Sequence, residues 1–349
     1  MVNDVNIGGF LINASSRPML IAEAGVNYYD IAIKSNIEPM EAAKSMVREA
    51  AKAGADAIKF QTYKAEKITI RNSPAYWDTS QESTATQFEL FKKFDKFGEG
   101  EYKELMHESR RYGIMFLSTP FDFDSADFLS NMMHAFKISS SDLTNTPFLQ
   151  HIAAKGKPII LSTGASTLDE IQSAISAIIN VNPVEVILLH CVLNYPTLIE
   201  DSNILMMRGL ENTFPRHWIG ISDHTVPDPH MALLTAAAGL GAKVIEKHFT
   251  LDKGLSGNDH YHSMDVKDLK VLRSNIDIVY RARGSDEKNP LVSEEPARKF
   301  ARRSIVAVET IPKGSIISRE MLDFKRPGTG ISPHMMNKII GKRTKRRIK

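Results

Sequence analysis

Residues 54–62 read GADAIKFQT, an apolar run that carries one lysine and ends in glutamine and threonine. Similar runs recur along the first 250 residues, and a polar or ionisable residue closes nearly every one. Buried parallel strands appear as continuous apolar runs because helices cover both faces of their sheet. Segments with helical periodicity separate the runs, so the pattern predicts about eight strand–helix units. The other runs are residues 19–22, 114–117, 135–138, 158–161, 184–189, 218–221 and 244–245.

Eight such units favour an α/β fold closed into a (β/α)8 TIM barrel, which we assign to residues 1–282. The strand ends of such a barrel converge on one mouth, where barrel enzymes carry their chemistry. Gly54 and Gly113 follow two of the helical segments, as helix C-terminal glycines do. Helices are predicted over residues 38–53, 101–112, 167–179, 230–239 and about 266–281.

The composition is that of an ordinary globular protein with no bias toward a special partner. The formal charge of the 349-residue chain is only +3, whereas a dedicated nucleic-acid binder usually has a stronger basic bias. The single cysteine, Cys191, excludes an internal disulfide and suits a reducing compartment. No signal peptide and no membrane span are predicted from the sequence, so we expect a cytoplasmic protein.

The C-terminal part of the chain has a different character. Residues 283–301 are polar and turn-rich, and we assign them to a linker. Short β runs separated by Pro and Gly turns predict a small β-rich domain over residues 302–349. Because its core is too small to be stable alone, we expect it to dock against a barrel, its own or a neighbour's. The basic residues 342–349 are interpreted as a solvated terminus.

Two lysines, Lys59 and Lys137, are flanked by apolar strand residues. A lysine inside a barrel needs a counter-ion, or it loses its proton. Together with Ser140, Ser162 and Ser222 at other strand ends, they predict a site for a phosphate or carboxylate anion. Imine formation is the competing use of a strand-end lysine, and a surface position at a strand terminus is the non-functional alternative.

Two histidines follow adjacent predicted strands, His224 after the seventh and His248 after the eighth. Imidazoles on neighbouring strand ends can share one divalent ion, although a lone histidine is more often a packed or capping residue. Glu23 ends the first strand, which lies beside the eighth in a closed barrel, so it lies within reach of the same ion or of the substrate. His190 and His260 are weaker candidates.

The ordered motifs of the chain resemble those of the sialic acid synthase family, also called nonulosonate synthases, over essentially its whole length. The C-terminal domain is similar to the family's antifreeze-like domain (SAF, a β-clip fold), with KRPG at residues 325–328. The matching segments are IAEAGVN (21–27), GADAIKFQT (54–62), STPF (118–121), FKI (136–138), ILSTG (160–164), HC (190–191), YPT (195–197), GISDHT (220–225), IEKHFT (245–250) and DHYHS (259–263).

The resemblance implies a transferase of the EC 2.5.1 type that condenses phosphoenolpyruvate with an N-acetylated amino-sugar. The product would be a nine-carbon 2-keto-3-deoxy acid plus phosphate, of the kind used in cell-surface polysaccharides. It also implies a divalent metal, manganese or magnesium, with His224 and His248 as ligands, and a domain-swapped homodimer. By similarity, the phosphoenolpyruvate-binding positions are Lys59, Thr119, Lys137, Ser140, Ser162 and Ser222. The residues near the sugar are Glu23, Gln61, Tyr195, Asp259 and Arg326, the last supplied by the partner subunit.

The sequence leaves the amino-sugar open. Leu193 stands where many family members have Asn, and Asp142, a further substrate-binding candidate, stands where they often have Glu. The acceptor is N-acetylmannosamine, a diacetamido-trideoxyhexose of the legionaminic or pseudaminic type, or a phosphorylated sugar. Two other functions remain as alternatives: a pyruvate-dependent, imine-forming aldolase, and a non-catalytic barrel that binds sugars or anions.

Overall fold

Eight parallel strands form the central sheet of the structure, a computed structural model that describes residues 2–77, 79, 82–257 and 259–349. The chain divides into two units, Met1–Arg283 and Gly284–Lys349. The first unit begins with a hairpin of two short strands, β1 (Val5–Ile7) and β2 (Phe10–Ile12). The sheet strands are β3 (Met19–Gly25), β4 (Ala57–Thr62), β5 (Met115–Pro120), β6 (Phe136–Ile138), β7 (Ile159–Ser162), β8 (Val186–Cys191), β9 (Trp218–Asp223) and β10 (Val244–His248).

The strands follow one another around the sheet in the order β5-β4-β3-β10-β9-β8-β7-β6. The hydrogen-bonded neighbours are parallel, and β10 pairs directly with β3, the first strand of the sheet. Strands β5 and β6 pack against each other at the remaining edge. The predicted barrel architecture, with the eighth strand beside the first, is confirmed.

Helices alternate with these strands and cover the outside of the barrel. The predicted cap at Gly54 is confirmed: it has φ +92° and its N–H is bonded to the carbonyls of Ala50 and Ala51. No helix among the described residues is both long and apolar enough to cross a membrane. The helices are α1 (Tyr28–Ser35), α2 (Pro39–Ala53), α3 (Ala65–Ile68), α4 (Gln87–Phe94), α5 (Glu99–Arg111), α6 (Phe123–Leu129), α7 (Thr146–Ala153), α8 (Leu168–Ile179), α9 (Met206–Thr213), α10 (Ala232–Gly239) and α11 (Val266–Arg283).

The barrel interior is apolar at the N-terminal ends of the strands and polar at their C-terminal ends. Met19, Ala57 and Val244 begin three adjacent strands and pack with the β1–β2 hairpin in one buried cluster, so the hairpin closes this end. A side chain at Gly220 would place its Cβ 2.4 Å from the Val244 carbonyl oxygen, which explains the glycine. Side chains of a strand alternate between its two faces, so the same inward face continues to Glu23 on β3 and to other polar groups.

The second unit contains a short antiparallel pair, β11 (Ser304–Ala307) and β12 (Leu322–Lys325). Within the segment predicted as a linker lies one short helix, α12 (Glu295–Phe300), and a second, α13 (Met336–Ile339), follows β12. Isolated bridges add further β pairing, as the turn-rich sequence predicted. Arg326 directly follows β12 and is exposed.

Candidate active site

A cavity lies at the C-terminal ends of the barrel strands. Eleven residues predicted from the sequence line it, so the strand ends do converge on one site. The predicted residues that line it are Glu23, Lys59, Gln61, Thr119, Lys137, Ser140, Ser162, Tyr195, Ser222, His224 and His248. Phe121, Ser139, Cys191 and Glu246 complete the lining.

A buried cluster of two lysines and two carboxylates lies in this cavity. The Lys59 ammonium is 2.5 Å from Glu23 Oε2 and 3.7 Å from Glu246 Oε1. Lys137 is 3.6 Å from the same Glu246 oxygen, so this carboxylate lies between the two ammonium groups. Gln61 donates to Glu23 Oε1 at 3.0 Å, which fixes the orientation of that carboxylate. The counter-ions that burial demands of both lysines are therefore present.

The cluster shifts the pKa values of its members in different directions. Burial, together with the charge of Glu246, raises the pKa of Glu23 to about 7, although Lys59 opposes this. Burial disfavours the charged form of Lys59, but the carboxylates of Glu23 and Glu246 favour that form more strongly, so the pKa of Lys59 is raised. Burial lowers the pKa of Lys137, and the negative charge of Glu246 offsets only part of this decrease. Glu23 can thus exchange a proton near neutral pH, whereas Lys59 stays charged.

Hydroxyl groups surround the ammonium groups. Thr119 Oγ1 accepts a hydrogen bond of 2.9 Å from Lys59, and Ser222 Oγ donates to Glu246 at 3.1 Å. Ser140 Oγ accepts from the Gly164 N–H at 2.9 Å. Ser162 Oγ is buried and has no hydrogen-bond partner among the described residues. A buried hydroxyl without a partner is costly, so Ser162 is suited to contact a bound anion.

Three imidazoles and a tyrosine ring form the opposite side of the site. The ring of His248 lies 5.4 Å from that of His224 and 5.1 Å from that of His262, measured between centroids. The Tyr195 ring packs 4.1 Å from the ring of His224. Burial lowers the pKa of His224 to about 4, and burial with neighbouring imidazoles lowers the pKa values of His248 and His262 well below 6.5. These rings are neutral, the form that ligates metals.

The histidine side of the site fits a divalent cation. His224 Nδ1 donates to the Val192 carbonyl at 2.8 Å, so its Nε2 carries the free lone pair. His248 Nδ1 is buried without a hydrogen-bond partner among the described residues. Ligand atoms of His248, Asp259 and His262 all lie within 4.8 Å of one another. His224 is outside that group but adjacent to it.

Three predicted residues are not part of the cavity lining. Asp142 lies at the end of a 3-10 turn, where its carboxylate accepts a hydrogen bond of 3.2 Å from Asn145. Asp259 lies beside the histidines, with Oδ2 3.7 Å from His248 Nδ1. Arg326 belongs to the second unit. The weaker metal candidates have other partners: His190 bonds the Ser202 carbonyl, and His260 contacts Thr250 and Asp30.

Sequence analysis did not assign a role to Glu246, which lines the cavity, or to His262, which lies beside His248. The alternation within β10 was the available signal for Glu246, since residues 244, 246 and 248 share one face of that strand. Lys247 lies on the other face, where it pairs with Asp223 at 2.5 Å. His262 lies in an irregular segment, for which no periodicity predicts the direction of a side chain.

Comparison with known proteins agrees with the fold. The NeuB family model matches residues 46–288 and the SAF domain model matches residues 302–349. An N,N'-diacetyllegionaminic acid synthase of Legionella pneumophila is 39% identical over 98% of this chain and 95% of its own length. The N-acetylneuraminate-9-phosphate synthase of Homo sapiens is 32% identical over 93% of this chain and 88% of its own.

A solved structure gives the same result. The N-acetylneuraminic acid (sialic acid) synthetase of Leptospira borgpetersenii, in complex with citrate, superposes with a TM-score of 0.73 at 31% identity. The superposition covers 85% of this chain and 95% of that one. The fold and site define a barrel synthase with a C-terminal SAF domain. The chain belongs to the NeuB family, and its relatives include an N,N'-diacetyllegionaminic acid synthase and an N-acetylneuraminate-9-phosphate synthase.

Proposed function

We propose that this protein condenses phosphoenolpyruvate with an N-acetylated amino-sugar, giving a nine-carbon 2-keto-3-deoxy acid and phosphate. The observation that carries the proposal is the cavity itself, in which Lys59 and Lys137 lie on one side and a histidine cluster on the other. The lysine side suits an anionic substrate, and the histidine side suits a carbonyl activated by a cation. Two reactants of this kind are what the condensation requires.

In this proposal, Lys59 and Lys137 bind the phosphate and carboxylate groups of phosphoenolpyruvate. Glu246 lies within 4 Å of both ammonium groups and holds them in place before the anion arrives. The Ser162 hydroxyl, which is buried without a partner among the described residues, donates to the bound anion. Charge-assisted contacts in a site that excludes water are the strongest of their kind.

Glu23 handles the proton in this proposal. Carbon 3 of the enol attacks the sugar aldehyde, and the aldehyde oxygen takes a proton from the Glu23 carboxyl as the new C–C bond forms. A carboxyl with a pKa of about 7 is well matched to this task near neutral pH. Lys59, at 2.5 Å, stabilises the carboxylate that remains.

Water then adds to carbon 2, and its proton returns to Glu23. The resulting tetrahedral intermediate breaks the C–O bond to phosphate, which leaves with the bridging oxygen and the electron pair. The phosphate takes the proton of the hydroxyl at carbon 2, so a keto group remains there. Tyr195, which packs on His224, lines this space. A divalent cation bound by the histidines would supply Lewis-acid polarisation of the aldehyde.

The acceptor that we propose to test first is a diacetamido-trideoxyhexose. The relative from Legionella pneumophila and a second N,N'-diacetyllegionaminic acid synthase, from Campylobacter jejuni, are 39% and 37% identical to this chain. The human N-acetylneuraminate-9-phosphate synthase is 32% identical. N-acetylmannosamine and its 6-phosphate are the competing acceptors. We also propose a cytoplasmic location, which the single cysteine supports.

The test is phosphate release from phosphoenolpyruvate across a panel of amino-sugars with and without a divalent metal. We expect release only when an N-acetylated amino-sugar and metal are both present, with a nine-carbon acid detected by mass spectrometry. Phosphoenolpyruvate carrying ¹⁸O in its bridging position should transfer the label to phosphate. Release that is independent of any sugar, or no release with the whole panel, would contradict the proposal.

The purified protein can also be tested for the alternative function, a pyruvate-dependent, imine-forming aldolase. Lys137 is the stronger candidate for an imine, since burial lowers its pKa and favours the free amine. Borohydride reduction in the presence of pyruvate would trap an imine as a covalent adduct. We expect no adduct on Lys59 or Lys137, and an adduct on either would favour the aldolase.

We propose further that the protein is a homodimer in which the C-terminal domain of each subunit serves the barrel of its partner, with Arg326 contacting the sugar. The exposed position of Arg326 directly after β12 and the family resemblance support this. A heterodimer of one wild-type chain and one R326A/H248A chain should therefore have no working site. One barrel lacks His248, and the other barrel receives the C-terminal domain that lacks Arg326. Activity of purified, verified heterodimers measures this directly.

The matched mixture separates the two arrangements. A heterodimer of one Arg326→Ala chain and one His248→Ala chain should regain about one working site. Lys325→Ala, which removes the neighbouring exposed cation, should leave activity largely intact. If the wild-type/double-variant heterodimer keeps half of the wild-type activity, Arg326 acts within its own subunit.

A further inference from the structure

The segment that follows β10 returns to the end of that strand. The Met264 N–H donates to the His248 carbonyl at 2.8 Å, and the Thr250 N–H donates to the Met264 carbonyl at 3.0 Å. Tyr261 also donates from its hydroxyl to the Tyr195 carbonyl at 3.1 Å. Because Met264 is tied to the backbone of His248, residue 262 is held beside the histidine that ends β10.

His262 is fully buried there, and neither of its ring nitrogens has a hydrogen-bond partner among the described residues. Buried polar groups in native proteins are almost always paired, so an imidazole with two unpaired nitrogens requires an explanation. His260, two residues earlier, is equally buried but has partners for both nitrogens: Nδ1 contacts Thr250 Oγ1 at 2.8 Å and Nε2 contacts Asp30 Oδ2 at 3.3 Å. The contrast indicates that the ring nitrogens of His262, unlike those of His260, are available to a ligand.

The neighbours of His262 are metal ligands by chemistry. Its Nε2 lies 3.8 Å from Asp259 Oδ1, and the other oxygen of that carboxylate lies 3.7 Å from His248 Nδ1. Two nitrogen or oxygen atoms that share one ion at 2.0–2.2 Å are at most roughly 4.4 Å apart. One ligand atom from each of the three side chains lies within 4.8 Å of the other two, close to this limit, so a small movement would let all three contact one ion.

We infer that His262 is an additional imidazole ligand of the metal site, which gives this protein a nitrogen-rich set of His248, His262 and Asp259 next to His224. Imidazole-rich sites bind Co²⁺, Ni²⁺ and Zn²⁺ more tightly than Mn²⁺, and Mg²⁺ prefers oxygen ligands. The site therefore prefers the borderline ions to manganese and magnesium. The inference deepens the proposed metal dependence and rests on it, but it concerns metal binding in the absence of any substrate.

The experiment measures Co²⁺ and Mn²⁺ binding to the metal-free, full-length protein without phosphoenolpyruvate or sugar. We expect His262→Gln to weaken Co²⁺ binding at least about tenfold and to lower the preference for Co²⁺ over Mn²⁺. His262→Cys should retain Co²⁺ and gain a thiolate-to-cobalt charge-transfer band, which a purely structural residue would not produce. His260→Gln is the matched control from the same segment, and its Co²⁺ affinity should stay within about twofold of the wild type.

Thermal unfolding of each variant in chelator reports folding separately from metal binding. Pulsed EPR of the bound paramagnetic ion counts the coupled imidazole nitrogens in the wild-type protein and in His262→Gln. Loss of one coupled imidazole in His262→Gln supports the inference, and an unchanged number overturns it. Unchanged Co²⁺ affinity in folded His262→Gln together with no charge-transfer band in His262→Cys would overturn it as well. None of these results depends on synthase activity, so failure of this inference can be distinguished from failure of the proposed reaction.

Discussion

Replacing His248 or His224 by alanine should abolish turnover while leaving the barrel folded. Each substitution removes a neutral imidazole from the C-terminal end of a strand, away from the apolar clusters that hold the barrel together. Loss of the Lewis acid that these rings would hold costs several kcal/mol of transition-state stabilisation, about 10³-fold or more in kcat/KM. The measurement is steady-state phosphate release at saturating metal, with circular dichroism and thermal unfolding to check the fold.

His107→Ala is the matched control for this experiment. His107 is an exposed histidine on α5, so its removal should change neither turnover nor the metal requirement. Wild-type protein treated with chelator should lose activity to the same extent as the two variants. If His224→Ala and His248→Ala both kept near wild-type activity after chelation, the assignment of a metal to these histidines would be wrong.

Replacing Lys59 or Lys137 by methionine should raise the KM for phosphoenolpyruvate and lower kcat. Each change removes a buried ammonium group from the anion side of the cavity while keeping most of the side-chain volume. Loss of one preorganised charge contact of this kind costs about 10²–10³-fold in rate. Because Lys59 is also the close ion partner of Glu23, its loss should have the larger effect on kcat.

The KM for the amino-sugar separates this interpretation from a general distortion of the site. In Lys137→Met, we expect the KM for the amino-sugar to change much less than the KM for phosphoenolpyruvate. In the wild-type protein the Lys137 ammonium group lies close to Glu246 and to the Ile138 carbonyl. Conservative Lys137→Arg should recover part of the binding because it restores the charge. If only the sugar KM moved, the two lysines would belong to the sugar subsite.

The fold could be predicted from the sequence in considerable detail. Continuous apolar runs indicated the eight parallel strands, because strands covered on both faces cannot alternate with polar residues. Helix ends such as Gly54 were predictable because a left-handed residue there satisfies the last carbonyls of the helix. Local chemistry of this kind depends only on neighbours along the chain. The resemblance to the family, carried by ordered motifs, pointed to the same architecture.

The membership of the site was also largely set by the sequence, because the C-terminal ends of parallel barrel strands must meet at one mouth. Residues as distant as Glu23 and His248 therefore line one cavity. The sequence could not say how these groups pair within the cavity. Glu246 lies within 4 Å of both lysines only because three strands from different parts of the chain hold them at that separation.

Only the tertiary structure decided the roles of the two histidines in residues 259–263. In an irregular segment no 3.6- or 2-residue period relates sequence position to side-chain direction. The hydrogen bond from Met264 to the His248 carbonyl sets that direction. It places His262 beside His248 and Asp259, whereas His260 is bonded to Thr250 and Asp30. By itself, the sequence determined the barrel and the strand ends that build its mouth; long-range contacts determined which groups are paired there and which remain available to a ligand.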